Sequence, residues 1–173
     1  MPLKMAEYDI AFAKRLADMA TEIVSDGINA CDSYRAVLYL ALLSCEITLK
    51  ALLEKAGTPI SDIRGRSHSL KLLLEDIDKC KVEVEIAPGI KRWRYATRLR
   101  AVTVDDRFRN ATVGTMLQAE DAGASKYPNQ IRYGNILNHY SADLIAKLAH
   151  AIYGWANRHW DTIRVIYRSS QMN

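Results

Sequence analysis

The sequence lacks the motifs that would assign a chemistry at sight. Its three cysteines, Cys31, Cys45 and Cys80, form no CxxC pair. An odd number suits reduced thiols better than a disulfide framework, and without ligand spacing neither a metal nor a redox role is expected of them. There is no HExxH, no carboxylate cluster, no GxGxxG and no P-loop, so metal-assisted hydrolysis and nucleotide binding have no motif of their own. No cofactor is therefore expected. The longest apolar run, Ala36 to Leu43, has eight residues, far short of the roughly 20 a membrane helix needs. The first residues meet charge at Lys4 and Glu7, too early for a secretory signal. The expectation is a cytoplasmic protein with no membrane partner. Internal repeats and low-complexity tracts are also missing.

What is present is an ordinary globular composition over 173 residues, 49% hydrophobic and 25% charged. That suits one domain large enough to bury a core without staples. The net charge is +4, but it is unevenly spread. Lys91, Arg92, Arg94, Arg98, Arg100, Arg107 and Arg109 face only Asp105 and Asp106, so residues 91–109 carry a local +5. Such asymmetry marks a site for an anionic partner.

Hydrophobic periodicity predicts helices. Ile10, Ala13, Leu16, Ala17, Ala20 and Val24 form one apolar stripe from about Ala6 to Ile28. A second helix runs from about Ser33 to Lys55, apolar nearly all round between Val37 and Leu43, and stops at Gly57 before Pro59. Such a helix lies at the centre of a bundle or under a partner subunit. After a loop from Thr58 to Arg66, Ser67 is placed to cap a third helix, His68 to Lys79, with Leu70, Leu73, Leu74 and Ile77 inward. His68 itself is expected to cap or pack at that helix start. Lys81 to Ile86 alternates like a strand, with an extended loop as the equal alternative; Pro88-Gly89 punctuates it. One or two short helices are expected over residues 90–118 and a loop over 119–129. A long last helix from about Gln130 to Arg168 is predicted from Tyr133, Leu137, Tyr140, Leu144, Leu148, Ala151 and Trp155 at spacings of three and four. The expected fold is all-α, an antiparallel bundle of four to five helices in a single domain over residues 1–173, with a basic, irregular insertion over 81–129.

Several of these residues carry a family resemblance. Glu46 is followed by Leu49-Lys50-Ala51-Leu52-Leu53, then Gly57, a short loop and His68-Ser69-Leu70; later come Tyr127-Pro128 and Arg132-Tyr133. This pattern resembles the HEPN family (higher eukaryotes and prokaryotes nucleotide-binding helical domain), well over residues 33–80 and loosely over 127–165. The resemblance implies a helical bundle that forms a homodimer. Its implied partners are RNA and an antitoxin or other protein, in toxin-antitoxin, defence or RNA-processing systems. Active members carry R-x4-6-H near the start of a late helix and cleave RNA without metal at the dimer interface; members without it are binding or scaffold modules.

Arg132 to His139 matches that motif, with six residues between the two. On one continuous helix they would lie on one stripe, about 10 Å apart along the axis, together with Asn135 and Asp143. A guanidinium can hold a phosphate through paired donors, a histidine can move the proton of a 2′-hydroxyl, and Asp143 could orient the imidazole. Arg, Asn, His and Asp at helical spacing also describe a solvated helix face. The second candidate is the segment Lys91, Arg92, Trp93, Arg94, Tyr95, Arg98 and Arg100. Its cations can neutralise phosphates while Trp93 or Tyr95 stacks on an unpaired base. Docking on an acidic protein, or a solvated basic helix face with Trp93 inward, is the alternative. His139 and His150 are too far apart along the helix to share a metal, and His159 points elsewhere.

Overall fold

The structure is a computed structural model, and it describes residues 5–28, 31–123, 127–133 and 140–166. Three long helices make its frame: α1 (Ile10–Asp26), α2 (Cys31–Ala56) and α7 (Ala142–His159). α2 packs on both others, and α1 and α7 touch each other. The reason lies in residue size. Ala13, Ala17 and Ala20 are fully buried on α1, and these short side chains let the two backbones approach. The approach is close enough for Ser44 Oγ on α2 to donate to the carbonyl of Ala13 at 2.6 Å.

α2 is the core helix. Val37, Leu38, Ala41, Leu42, Cys45, Leu49, Leu52 and Leu53 are buried around its circumference, and each large aliphatic side chain removed from water contributes about 1.5–3 kcal/mol. By length and composition it is apolar enough to cross a membrane; in this fold most of that apolar stretch is covered by neighbouring helices. It ends at Gly57 (φ 98°), where Thr58 N–H reaches back to the carbonyl of Leu53 at 2.9 Å. That left-handed turn is the helix stop Gly allows at little cost.

Short elements build outward from this frame. α3 (Ile60–Gly65), α4 (Leu70–Asp78) and α6 (Asn129–Tyr133) pack on α2, while α5 (Val113–Ala122) and a 3-10 helix over Ala96–Ala101 pack on each other and on α4. Leu70, Leu73, Leu74 and Ile77 of α4 are buried as the periodicity predicts. The cap differs from expectation: Ser69 accepts from Leu72 N–H, whereas Ser67 sits at φ 51° in the preceding turn. The stretch read as a loop over 58–66 contains α3, and the stretch read as a loop from Ala119 is the end of α5.

The expectation of an all-α fold needs correction. The chain is mostly helical but also carries a three-stranded antiparallel sheet, ordered β2-β1-β3, from β1 (Cys80–Ala87), β2 (Ile90–Tyr95) and β3 (Arg164–Val165). The alternation over Lys81–Ile86 is a true strand. It pairs with the basic segment, so residues 90–95 are strand rather than helix. Gly89 (φ 74°) turns the hairpin. Residues 80–87, 90–101 and 113–122 are thus regular structure, and the turns over 102–112 are the irregular part of this stretch.

The continuous last helix is the second correction. α6 ends at Tyr133 and α7 begins at Ala142, with Ser141 in an extended conformation (ψ 156°) and its hydroxyl accepting from Leu144 N–H. From Leu144 onward the apolar stripe holds, with Leu144, Leu148 and Trp155 buried. Tyr133, which the periodicity puts on the same stripe, is 82% exposed, because the helix that would carry it inward is interrupted by a capped new start.

Candidate functional site

Three polar constellations stand out from this frame. The first is centred on Glu46, whose side chain is only 5% exposed. Its carboxylate accepts from Lys50 Nζ at 2.6 Å, one turn along α2, and from Tyr127 Oη at 2.6 Å. Both of its oxygens lie 3.1 Å from His68 Nδ1. A carboxylate accepts only, so Nδ1 carries the proton of that bond. Burial, then the adjoining Glu46, push the Tyr127 phenol far above the ordinary tyrosine range. Four groups from three separate parts of the chain meet here, and a buried charge left without such partners would be costly. Sequence reasoning did not find this hub, treating the helix as packing alone. The signal was present: Glu46 and Lys50, spaced i,i+4, are the only charged residues between Ala36 and Leu53 of α2.

The second constellation holds Arg132. Its guanidinium lies over the Tyr39 ring, 5.1 Å from the centroid, and donates to Tyr39 Oη through Nε at 3.1 Å and through Nη2. Together with Arg35, Ile131 and Tyr133 these residues line a groove of about 530 Å³ between α2 and α6. Tyr39 and Glu46 are seven residues apart on α2, so they share a face about 10 Å apart along the axis. Tyr127 bridges them, its ring centroid 6.0 Å from that of Tyr39 and 6.3 Å from that of His68.

The sequence reading placed His139 and Asp143 beside Arg132. His139 lies outside the described residues. Asp143 belongs to α7, beyond the break, so it does not share a helix with Arg132. It pairs instead with Lys147 at 2.9 Å and Arg107 at 3.3 Å. These two cations also hold Asp105, which accepts from Arg107 Nη2 and from Lys147 Nζ at 2.7 Å each. The hydrogen bonds from Arg107, then Lys147, keep the Asp105 carboxyl well below the usual carboxylate range. The cluster lies beside an open groove of about 720 Å³ that also touches His150 and Arg158. His150 Nε2 sits 3.0 Å from Thr21 Oγ1.

The third constellation is the hairpin. Every residue of β2 is exposed. Strand alternation and the register put Lys91, Trp93 and Tyr95 on one face with Lys81, Glu83 and Glu85 of β1 and Arg164 of β3. Val82, fully buried, marks the opposite face as the one turned to the core. On the outer face Lys81 Nζ stands 5.0 Å from the Tyr95 ring centroid and the Arg164 guanidinium 5.2 Å from that of Trp93. Lys91 is 3.7 Å from Glu83. Trp93 remains 43% and Tyr95 56% exposed, so Trp93 is not turned inward. Arg92 and Arg94 alternate onto the other side and are exposed as well.

The rest of the basic segment separates from this face. Arg100 is bound to Asp78 at 2.6 Å, and its Cβ lies where a side chain at Gly114 would be; it is a packing residue between the 3-10 helix, α4 and α5. Arg98 faces the end of α7, where burial, with Arg158 and Arg98 adding, lowers the pKa of His159. Among the described residues no three His, Cys, Asp or Glu side chains gather closely enough to hold a metal ion.

The fold and these constellations define a mostly helical domain with a cationic, aromatic hairpin face and a polar seam along its core helix. Comparison with protein-family models, with curated proteins and with solved structures finds no match.

Proposed function

We propose that this chain is a HEPN-like, cytoplasmic RNA-binding protein acting as a homodimer, and that the outer face of the hairpin is where single-stranded RNA lies. One observation carries the reading: Trp93 and Tyr95 stand exposed side by side on that face, each with a cation, Arg164 and Lys81, over its ring. An aromatic face accepts any unpaired base, and the neighbouring cations neutralise phosphates. Glu83 and Glu85 on the same face repel phosphates as they would an acidic protein, so the two exposed rings carry the preference for unpaired bases.

The HEPN resemblance extends the proposal to metal-independent cleavage by Arg132 and His139 of a defence or toxin-antitoxin ribonuclease. Arg132 contributes its charge at the mouth of the α2–α6 groove. A second reading, an inert HEPN module that binds RNA or a protein partner, is favoured by a specific contact: the Arg132 guanidinium already spends two donors on Tyr39. Fluorescence anisotropy with labelled single-stranded RNA in chelator tests the core of the proposal. Binding should weaken steeply with salt and fall in Trp93→Ala and Tyr95→Ala. Wild-type affinity that ignores both salt and the two rings would overturn it.

A further inference from the structure

The seam along α2 contains a histidine with the attributes of an acid–base catalyst. We propose that His68, oriented by Glu46, is the general base that acts with Arg132 on bound RNA; the inference rests on the RNA-binding reading above. Three observations lead to it. The buried Glu46 carboxylate engages Nδ1 through both oxygens, which fixes the ring and its tautomer. The His68 side chain is nevertheless 51% exposed, and no contact of its Nε2 is found among the described residues. Its basic nitrogen is therefore the one that faces outward. The residue before it, Ser67, holds a left-handed backbone (φ 51°), which a residue with a side chain rarely adopts; the turn delivers His68 to Glu46 at that conformational expense.

Arg132 is on the same seam. It covers Tyr39 as His68 covers Glu46, and those two positions share one face of α2 about 10 Å apart along its axis. A further stretch of the bound strand, beyond the part held by the hairpin face, laid along this row would place one phosphate at the guanidinium and a 2′-hydroxyl at His68. The groups around the imidazole are Glu46 and Lys50 from α2 and the neutral phenol of Tyr127.

The step balances without any further reagent. His68 Nε2 accepts the proton of the 2′-hydroxyl while the 2′-oxygen forms a bond to phosphorus and the bond from phosphorus to the 5′-oxygen breaks. The leaving 5′-oxygen takes a proton from water, and the hydroxide so formed recovers the proton from His68. The products are a 2′,3′-cyclic phosphate and a 5′-hydroxyl. Arg132 binds the phosphate, His68 is the catalytic residue, and Glu46 is a positioning residue.

The test measures binding and cleavage separately, with single-stranded RNA in chelator. His68→Gln should bind RNA as the wild type does and cleave at least 100-fold more slowly. His68→Gly should regain activity on addition of imidazole, which a purely structural role would not produce. Circular dichroism checks that both variants are folded. If neither folds, diethyl pyrocarbonate on the wild type decides: modification of His68, mapped by mass spectrometry, has to track loss of cleavage and be slowed by RNA. Cleavage unchanged in folded His68→Gln, or lost only in His139→Ala, overturns the assignment and leaves RNA binding standing. A wild type that binds but does not cleave does the same. A wild type that binds no RNA removes both proposals.

Discussion

Glu46 and His68 meet 22 positions apart in sequence, both carboxylate oxygens 3.1 Å from one imidazole nitrogen. The pair joins the centre of the core helix to the turn before α4. Lys50 and Tyr127 complete the same carboxylate. Removing the carboxylate therefore strands a nearly buried ammonium, a phenol and an imidazole at once. Glu46→Ala should destabilise the fold by about 3–5 kcal/mol, the cost of breaking a buried ion pair from one side. Tyr127→Phe should cost about 1.5–3 kcal/mol, since it removes one hydrogen bond to a charged group. Urea denaturation of the two variants checks the ranking; a Glu46→Ala protein as stable as the wild type would mean the hub is not formed.

Acid should weaken the link between the residue 105–107 turn and α7. The Asp105 carboxyl is held low by Arg107 and Lys147. For Asp76 burial pushes the value up, but hydrogen bonds from Arg66 and Lys79 outweigh it and the net shift is downward. A carboxyl with a lower pKa folded than unfolded adds stability that is fully present above the unfolded value, near 3.9, and is lost as pH falls through the folded one. The melting temperature should therefore drop as pH falls below about 4. In Asp105→Asn it should drop less, from a lower starting point at neutral pH. Thermal melts from pH 7 down to pH 2.5 read both.

The long helices were legible because their signal is local. Apolar residues at spacings of three and four on α1, α4 and α7 supply most of their buried positions, α2 is apolar nearly all round, and Gly57 ends it where the sequence puts it. The errors share a different cause. Tyr133 and Leu144 fit one stripe arithmetically, yet Ser141 starts a new helix between them. A periodicity count passes through a serine cap without registering it. One or two short helices are expected over residues 90–118, but residues 90–95 are a strand, set by pairing with Lys81–Ala87, a contact no window of one segment contains. The Glu46–Lys50 pair is legible at i,i+4 spacing, but its completion by Tyr127, 81 positions away, is not, for the same reason. Arg100, counted as a phosphate ligand from its charge, is taken by Asp78, and charge alone does not reveal a prior engagement.

The three thiols should separate in reactivity. Cys31 is exposed, while Cys45 and Cys80 are buried. Burial pushes the Cys45 thiol far up and the Cys80 thiol up to about 11, and the reactive form is the thiolate. Ellman's reagent at pH 8 should label one thiol rapidly in the native protein, identified as Cys31 by Cys31→Ser, and all three in denaturant. Rapid labelling of Cys45 in the native state would contradict its full burial in the core.

The hairpin makes the sharpest quantitative demand. Stacking of a base on an aromatic side chain is worth about 1–3 kcal/mol, so Trp93→Ala and Tyr95→Ala should each weaken RNA binding by roughly 5- to 150-fold. These substitutions act on contact, and the dependence of affinity on salt should stay as steep as in the wild type. Lys81, Lys91 and Arg164, the cations of the same face, act through charge. Replacing all three with Ala should flatten the plot of log affinity against log salt, by about 0.7 for each phosphate no longer neutralised on a single strand. Arg100→Ala is the internal control. Its guanidinium is bound to Asp78, so that change should lower the melting temperature and leave the salt slope where it was. A flattened slope in Arg100→Ala, or an unchanged slope in the triple variant, would move the RNA away from the strand and onto some other part of the surface.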